Sequence, residues 1–213
     1  SKVVIIMSII LIILPGMYFF FFEFNELTLK ERILVSIFQS ITPRTAGFNT
    51  VNLNGVSEVG LIILVILMLI GGSPGSTAGG MKTSTIAVIC SSIISVFKNK
   101  GNAEIFKKRI SDENVKKAFV IFFLYLFIFL FSGLIISKIE NVSVLSGLFE
   151  TASAIGTVGL TLGITPTLGI VSKIILIMLM FFGRIGGLTL IYATLGEGKK
   201  QFYNYPVEKI MVG

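Results

Sequence analysis

The chain has 213 residues and a mean hydropathy of +0.93, and only 14% of its residues are charged. A soluble domain usually carries about 25% charged residues, so this composition predicts an integral membrane protein. The sequence contains no histidine and one cysteine, Cys90. These counts exclude the usual zinc sites, Ser-His-Asp chemistry and an internal disulfide within this chain. Cys90 lies in an apolar segment and is predicted to be a small buried hydrophobic residue.

The first element is a predicted membrane helix from about Lys2 to Phe22. The run from Val3 to Phe22 holds 20 uncharged residues, which at about 1.5 Å per residue cross a hydrocarbon core of about 30 Å. A cleavable signal peptide is not indicated, because there is no A-x-A-like site and Pro15-Gly16 falls in mid-segment.

A short amphipathic helix is predicted from about Leu29 to Ile41. Thr28 and Glu31 form a capping-box pattern at its start. Ile33, Ile37 and Ile41 share one face, but the helix is too short to span a bilayer. Pro43 ends it, and we expect the preceding Thr42 to leave helical geometry.

The segment from Glu58 to Phe97 holds 40 residues, which as one helix would be about 60 Å long. Proline and five glycines break it, so we predict a helix to about Ile70, a glycine-rich loop, and a second helix from about Met81. Irregular backbone at membrane depth is tolerated only where it is buried or lines a cavity, which makes this loop a candidate gate. The glycine-rich loop consists of Gly71, Gly72, Ser73, Pro74, Gly75, Ser76, Thr77, Ala78, Gly79 and Gly80.

Two other interpretations of the glycine-rich loop remain open. Gly75 to Thr83 resembles the phosphate-binding pattern G-x-x-x-x-G-K-[ST], although Met81 interrupts it and no strand is predicted before it. Alternatively, Gly71, Gly75 and Gly79 have the spacing of close helix packing.

Basic residues concentrate in a linker of residues 98–117. Seven bases face three acids there, and the tail of residues 196–213 is also basic. By the positive-inside rule, both termini and this linker are predicted to be cytoplasmic. Nucleic-acid binding is not indicated, because the run is short and has a single aromatic among its bases. The seven bases are Lys98, Lys100, Lys107, Lys108, Arg109, Lys116 and Lys117.

The second half repeats the order of the first. We predict a membrane helix from Ala118 to Ser137, and then a short helix from Ser143 to Ile155 that is capped by Asn141 or Ser143. A loop follows at Gly156 to Gly163. Pro166 is predicted to open the last helix, which continues past Arg184 to about Leu195.

Two loops, here called the filter-like loops, carry the internal repeat. Their glycines lie 112 residues apart, and each is followed 24 residues later by another glycine, Gly71 or Gly183. The order predicts an all-α membrane protein with two repeats of membrane helix, pore helix, filter loop and membrane helix. Backbone carbonyls of such loops can replace the hydration shell of a cation, and the potassium-channel filter sequence begins with Thr-Val-Gly. The alternative interpretation is that each loop is an ordinary glycine turn between helices. The loops are Thr45-Ala46-Gly47-Phe48 and Thr157-Val158-Gly159-Leu160.

Three charged side chains fall within these apolar segments. Arg184 is costly at mid-membrane, and the carbonyls of the glycine-rich loop are its expected acceptors, with snorkelling to the cytoplasm as the alternative. Lys82 is expected to snorkel. Glu150 is expected to support the second filter-like loop through backbone N–H groups, and direct contact with a cation is the alternative.

These motifs resemble the Trk/Ktr/HKT superfamily of potassium transporters, and in particular the C-terminal half of subunits of the KtrB type. The likeness covers essentially the whole chain. It is carried by residues 41–49, 71–83, 156–160, 182–189 and 205–213.

The resemblance implies a membrane subunit of a potassium uptake system, not an enzyme. Residues 1–97 would be the family's third repeat and residues 118–195 the fourth, with Arg184 and the glycine-rich loop as the gate. It further implies a multi-pass protein of the cell membrane, a homodimer of full-length subunits and a cytoplasmic ring of nucleotide-binding regulatory subunits. No cofactor or resident metal is expected, K⁺ is the transported ion, and Na⁺ is the alternative.

We expect this chain to be part of a longer transporter, since two filter loops cannot surround an ion. Assembly of a pore from separate halves is the alternative. Two other functions stay open from the sequence: a membrane nucleotide-binding protein or ATPase that uses Gly75–Thr83, and an assembly fragment without transport of its own.

Overall fold

The computed structural model describes residues 2–186, and this part of the chain is mainly helical. A π-helical turn at Phe19–Glu23 extends the first helix, and 3-10 turns lie at Leu53–Gly55 and Thr165–Thr167. A hairpin of two-residue strands, β1 (Glu104–Ile105) and β2 (Lys108–Arg109), and an isolated β-bridge between Ile70 and Met81 depart from all-α structure among these residues. The helices are α1 (Lys2–Tyr18), α2 (Leu29–Ile41), α3 (Glu58–Leu69), α4 (Thr83–Phe97), α5 (Asp112–Glu140), α6 (Val144–Ile155) and α7 (Ile170–Ile185).

Two helices in the described part of the chain are long and apolar enough to cross a membrane: α1 with its π-helical turn, and α5. Helix α5 begins at Asp112 and not at the predicted Ala118. The hydroxyl of Ser111 accepts the Asn114 N–H at 3.4 Å, and two acidic residues in the first turn suit the positive end of the helix dipole. The charged residues before the apolar run thus form the first turns of the helix.

Helix α2 has the predicted bounds, and α6 begins at Val144, one residue after the predicted start. At the start of α2, the Thr28 N–H donates to the Glu31 carboxylate at 3.3 Å. Thr42 does not leave helical geometry as predicted: it has φ −57° and ψ −35°, and its N–H donates to the Phe38 carbonyl at 2.9 Å. The Thr42 hydroxyl also donates a hydrogen bond of 2.6 Å to the Phe48 carbonyl. These hydrogen bonds outweigh the steric effect of Pro43, which disfavours helical geometry in the preceding residue.

Helix α6 lies at the centre of the packing. It contacts α3, α5 and α7, and every residue from Phe149 to Ile155 is buried. Its cap is Ser143, whose hydroxyl accepts the Ser146 N–H at 3.1 Å, whereas Asn141 ends α5 with φ 53°. A methyl carbon on Gly183 would lie 1.9 Å from the Ile155 carbonyl oxygen, so only glycine lets α7 approach the end of α6 this closely.

Helix α2 is less enclosed than α6. It packs against α1 and buries a polar face of Ser36, Gln39 and Ser40. Its predicted apolar face is exposed, since Ile33, Ile37 and Ile41 each retain at least 43% of their accessible surface.

The segment from Glu58 to Phe97 is broken as predicted, and its glycine-rich loop is not a helix. The Gly71 N–H donates to the Met81 carbonyl at 2.8 Å, the Met81 N–H to the Leu69 carbonyl at 2.9 Å, and the Thr83 N–H to the Gly72 carbonyl at 3.2 Å. These bonds close the base of the loop between α3 and α4. The helix-packing interpretation of its glycine spacing is therefore wrong.

Three expectations near the other elements need correction. Pro166 lies in a 3-10 turn, and α7 begins four residues later at Ile170. Helix α7 ends at Ile185, and Gly186 has φ 87°, so the predicted continuous helix past Arg184 to Leu195 is wrong at Gly186. Residues 187–213, including the predicted tail, lie outside the described residues. Cys90 is exposed on α4 and is not a buried residue.

A pair of carboxylates, which the sequence analysis missed, ties neighbouring helices together. Glu23, at the end of α1, accepts the Ser57 N–H at 3.0 Å at the start of α3. Glu140, at the end of α5, accepts the Gly169 N–H at 2.9 Å at the start of α7. Each carboxylate also accepts a serine hydroxyl. Both units therefore anchor a helix N-terminus with an acid, where the helix dipole favours negative charge.

Candidate cation site

The two filter-like loops share an unusual backbone conformation. Thr45 and Gly47 have φ of 70° and 73°, and the corresponding Thr157 and Gly159 have φ of 50° and 93°. Glycine adopts such values freely, but for a β-branched residue they are genuine outliers. The same strain at matching positions of both loops marks them as a functional candidate.

The structure brings the two loops into direct contact. A methyl carbon on Gly47 would lie 1.9 Å from the Val158 carbonyl oxygen, so the loops touch through their backbones. The hydroxyl of Thr45 donates to the Gly156 carbonyl at 3.3 Å. The predicted filter residues of the two halves of the chain therefore lie in contact.

The backbone amides of Gly47, Val158 and Gly159 donate to protein groups, while the carbonyls of residues 45–47 and 157–159 accept no hydrogen bond from the described residues. The Gly47 N–H donates to the Thr42 carbonyl at 2.9 Å, and the Val158 N–H donates to the Ser153 carbonyl at 2.9 Å. The Gly159 N–H donates to the Ser153 hydroxyl at 3.1 Å, a support that the sequence analysis missed. Among residues 2–186, no group donates a hydrogen bond to the carbonyl oxygens of residues 45–47 or 157–159.

This arrangement is chemically suited to a cation. Six unpaired carbonyl oxygens are supplied by two touching loops, and carbonyl oxygens are the ligands of potassium filters. Helices α2 and α6 both end at these loops. Their C-terminal ends add partial negative charge, which favours a positive ion.

The glycine-rich loop lies directly against the second filter-like loop. The Gly79 N–H donates to the Thr157 hydroxyl at 3.2 Å, and the Gly80 N–H donates to the Ile155 carbonyl at 3.2 Å. A methyl carbon on Gly79 would lie 2.4 Å from the Thr157 oxygen. The candidate gate thus contacts the candidate filter without an intervening layer.

Lys82, and not Arg184, binds the carbonyls of the glycine-rich loop. Its Nζ donates to the Ala78 carbonyl at 2.7 Å and to the Ser76 carbonyl at 3.1 Å, so the predicted snorkelling of Lys82 is wrong. Arg184 is exposed and donates no hydrogen bond to the loop within the described residues. It lines a cavity of about 600 Å³ together with Thr157 and other residues of the second filter-like loop.

The same contacts argue against phosphate binding by residues 75–83. A phosphate-binding loop offers free backbone N–H groups and a lysine to the ligand. Here the Gly79 and Gly80 amides donate to Thr157 and Ile155, and the Lys82 amine binds carbonyls of its own loop.

Glu150 supports the segment that follows the second filter-like loop. It is 3% exposed. It accepts the Leu162 N–H at 3.3 Å, so it makes the kind of contact with a backbone N–H group that the sequence analysis expected. It also accepts the hydroxyls of Thr161 and Thr165, the latter at 2.8 Å, which the sequence analysis did not foresee. Three donors therefore compensate its burial.

Comparisons with known proteins identify the family of this chain. The TrkH family, described as cation transport proteins, matches residues 1–203. The potassium/sodium uptake protein NtpJ of Enterococcus hirae is 38% identical over 100% of this chain and 50% of its own length. The Ktr system potassium uptake protein B of Bacillus subtilis is 35% identical over 89% of this chain and 42% of its own length.

A solved structure shows the same fold. The potassium transporter TrkH of Vibrio parahaemolyticus aligns with a TM-score of 0.72 and 20% identity, over 90% of this chain and 43% of that one. The chain spans about half the length of these relatives. It belongs to the TrkH family of membrane cation transport proteins.

Proposed function

We propose that this chain supplies half of the membrane subunit of a potassium uptake system, in which dehydrated K⁺ passes between the two filter-like loops. The observation that carries the proposal is the set of six unpaired carbonyl oxygens in two touching loops. Such oxygens replace the water around K⁺. The names of the two relatives, potassium uptake and potassium/sodium uptake, support K⁺ as the ion and keep Na⁺ as the alternative.

In this proposal, α2 and α6 are pore helices of two repeats. Residues 1–97 form one repeat and residues 118–195 the other, joined by the basic linker of residues 98–117. The basic linker and both termini are cytoplasmic by the positive-inside rule. Two loops cannot enclose an ion, so the filter is completed outside this chain. A homodimer and a cytoplasmic nucleotide-binding ring remain expectations from the resemblance.

The glycine-rich loop acts as the gate. It contacts Thr157 through Gly79, so an ion that leaves the filter on this side meets the loop. Lys82 holds the loop by binding two of its carbonyls. Arg184 lines the cavity beside the second filter-like loop and places a positive charge where it raises the barrier to a cation.

The proposal is tested by potassium uptake of the full-length protein in cells that need it for growth at low K⁺. We expect Gly159→Asp to abolish uptake or to change selectivity, because a charged side chain enters the filter at a residue with φ 93°. Gly163→Asp is the matched control, since Gly163 has φ 92° and open space but lies outside the filter. Normal uptake and selectivity by Gly159→Asp would contradict the proposal.

A further inference from the structure

A second cavity, here called the basic cleft, lies away from the candidate cation site. It has a volume of about 460 Å³ and is formed by α1, α4 and the β1–β2 hairpin. Its walls are apolar where Ile6 and Met7 of α1 face Ile94 of α4. Lysines of the basic linker lie at the other side of the same cleft. The cleft is therefore amphipathic, with an apolar trough and a basic rim.

The rim carries uncompensated positive charge. Lys98, Lys100 and Lys107 line it together with a single acid, Glu104. Lys100 is paired with Glu104 at 3.0 Å. Within residues 2–186, no acidic side chain pairs with Lys98 or Lys107. Two positive charges therefore remain available to an anion at the rim.

The turn of the β1–β2 hairpin places Phe106 and Lys107 at the rim in a backbone conformation that these residue types rarely adopt. Phe106 and Lys107 form its two-residue turn with φ of 49° and 61°, values for which such turns normally use Asn-Gly. Ser91 of α4 fixes the hairpin by donating to the Glu104 carbonyl at 2.9 Å. Phe106 and Lys107 thus lie side by side at the rim of the cleft.

We propose that the basic cleft binds an anionic phospholipid, with an acyl chain against Ile6, Met7 and Ile94 and the phosphate between Lys98 and Lys107. Basic pockets between membrane helices on the cytoplasmic side suit the headgroups of anionic lipids, which are abundant in that leaflet. A free phosphate would leave the apolar trough unused. The inference rests on the orientation in the proposed function, which places the basic linker in the cytoplasm.

The test is native mass spectrometry of the full-length protein in detergent with phosphatidylglycerol or phosphatidylcholine. We expect selective retention of phosphatidylglycerol, and about thirtyfold weaker retention after Lys98→Gln with Lys107→Gln. The matched control is Lys108→Gln with Lys116→Gln, which removes two exposed charges of the same linker that do not line the cleft. Retention should stay unchanged in this control.

A second variant and a competitor separate lipid binding from general attraction to basic charge. Ile94→Trp fills the trough and keeps every charge, and it should also lower phosphatidylglycerol retention. Glycerol 3-phosphate, which has the phosphate but no acyl chain, should not displace the lipid. Equal losses in both double variants, no loss in Ile94→Trp, or displacement by glycerol 3-phosphate would overturn the inference.

Potassium flux measured with the same protein variants in proteoliposomes keeps the two proposals distinguishable. If phosphatidylglycerol is retained as expected but Gly159→Asp transports normally, the lipid site stands and the proposed function fails. If flux depends on Gly159 but retention does not depend on Lys98 and Lys107, the lipid inference alone fails.

Discussion

The backbone amide of Gly79 donates a hydrogen bond of 3.2 Å to the hydroxyl of Thr157. This bond joins the glycine-rich loop to the second filter-like loop. Only a side chain with an acceptor at this point can make it, and only glycine fits on the other side, where a methyl carbon would lie 2.4 Å from the Thr157 oxygen. In the proposed function, the position of the gate is therefore tied to a residue of the filter.

Replacing the Thr157 hydroxyl should loosen the glycine-rich loop. Thr157→Val removes the acceptor and keeps the shape, at a cost of about 1 kcal/mol, whereas Thr157→Ser keeps the acceptor. Hydrogen exchange of peptides covering residues 71–82 in the full-length protein measures this. We expect exchange about fivefold faster in the valine variant and near wild type in the serine variant. Equal exchange in the two variants would show that the bond does not hold the loop.

The two filter glycines should differ in their tolerance of alanine. Both have positive φ, which costs an alanine about 1–2 kcal/mol. At Gly47 the new methyl group would also meet the Val158 carbonyl at 1.9 Å, whereas nothing lies within 4 Å at Gly159. We expect Gly47→Ala to lower the thermal unfolding temperature and K⁺ uptake more than Gly159→Ala does. Gly55→Ala, at a site with open space and no positive φ, is the control.

Loss of the Lys82 amine should release the closed loop. Lys82→Met removes the hydrogen bonds to the Ser76 and Ala78 carbonyls and keeps most of the side-chain volume. We expect an increased K⁺ leak into proteoliposomes under conditions in which the wild-type transporter is closed. Lys108→Met removes an exposed charge outside both the loop and the basic cleft and should leave the leak unchanged. A lower leak after Lys82→Met would contradict a holding role for the amine.

Glu150 should contribute to stability through its buried hydrogen bonds. Glu150→Gln keeps the size but leaves the hydroxyls of Thr161 and Thr165 and the Leu162 N–H with a poorer acceptor. We expect a loss of about 1–3 kcal/mol, seen as a lower unfolding temperature of the full-length protein in detergent. Glu26→Gln, at an exposed residue, is the matched control and should have little effect. Equal unfolding temperatures for Glu150→Gln and the wild type would contradict this role.

Features encoded locally were predictable from the sequence. Pro74 and the surrounding glycines predict the break between α3 and α4, because neither residue type suits a helix interior. Thr28 and Pro43 indicate where α2 begins and ends. The matching spacing of Gly47 and Gly159 predicted that the two filter-like loops act together, and the structure places them in contact.

Hydrogen bonds between residues far apart in the sequence were not predictable. Lys82 directly follows the glycine-rich loop in sequence, whereas Arg184 lies in a distant apolar run, and the sequence alone could not show which of them binds the loop carbonyls. Ser153 supports the Gly159 amide in the second unit, but the corresponding residue of the first unit is Ile41, so the repeat gave no signal for it. The start of α5 was missed because its first turns are charged and the apolar pattern begins only later.

The most direct test of the proposed ion path is a crystal structure of the full-length protein with Rb⁺ in place of K⁺, recorded at the rubidium absorption edge. We predict an anomalous peak within about 3 Å of carbonyl oxygens from both residues 45–47 and residues 157–159. Rubidium density found only elsewhere, with these oxygens contacting protein or lipid instead, would contradict it.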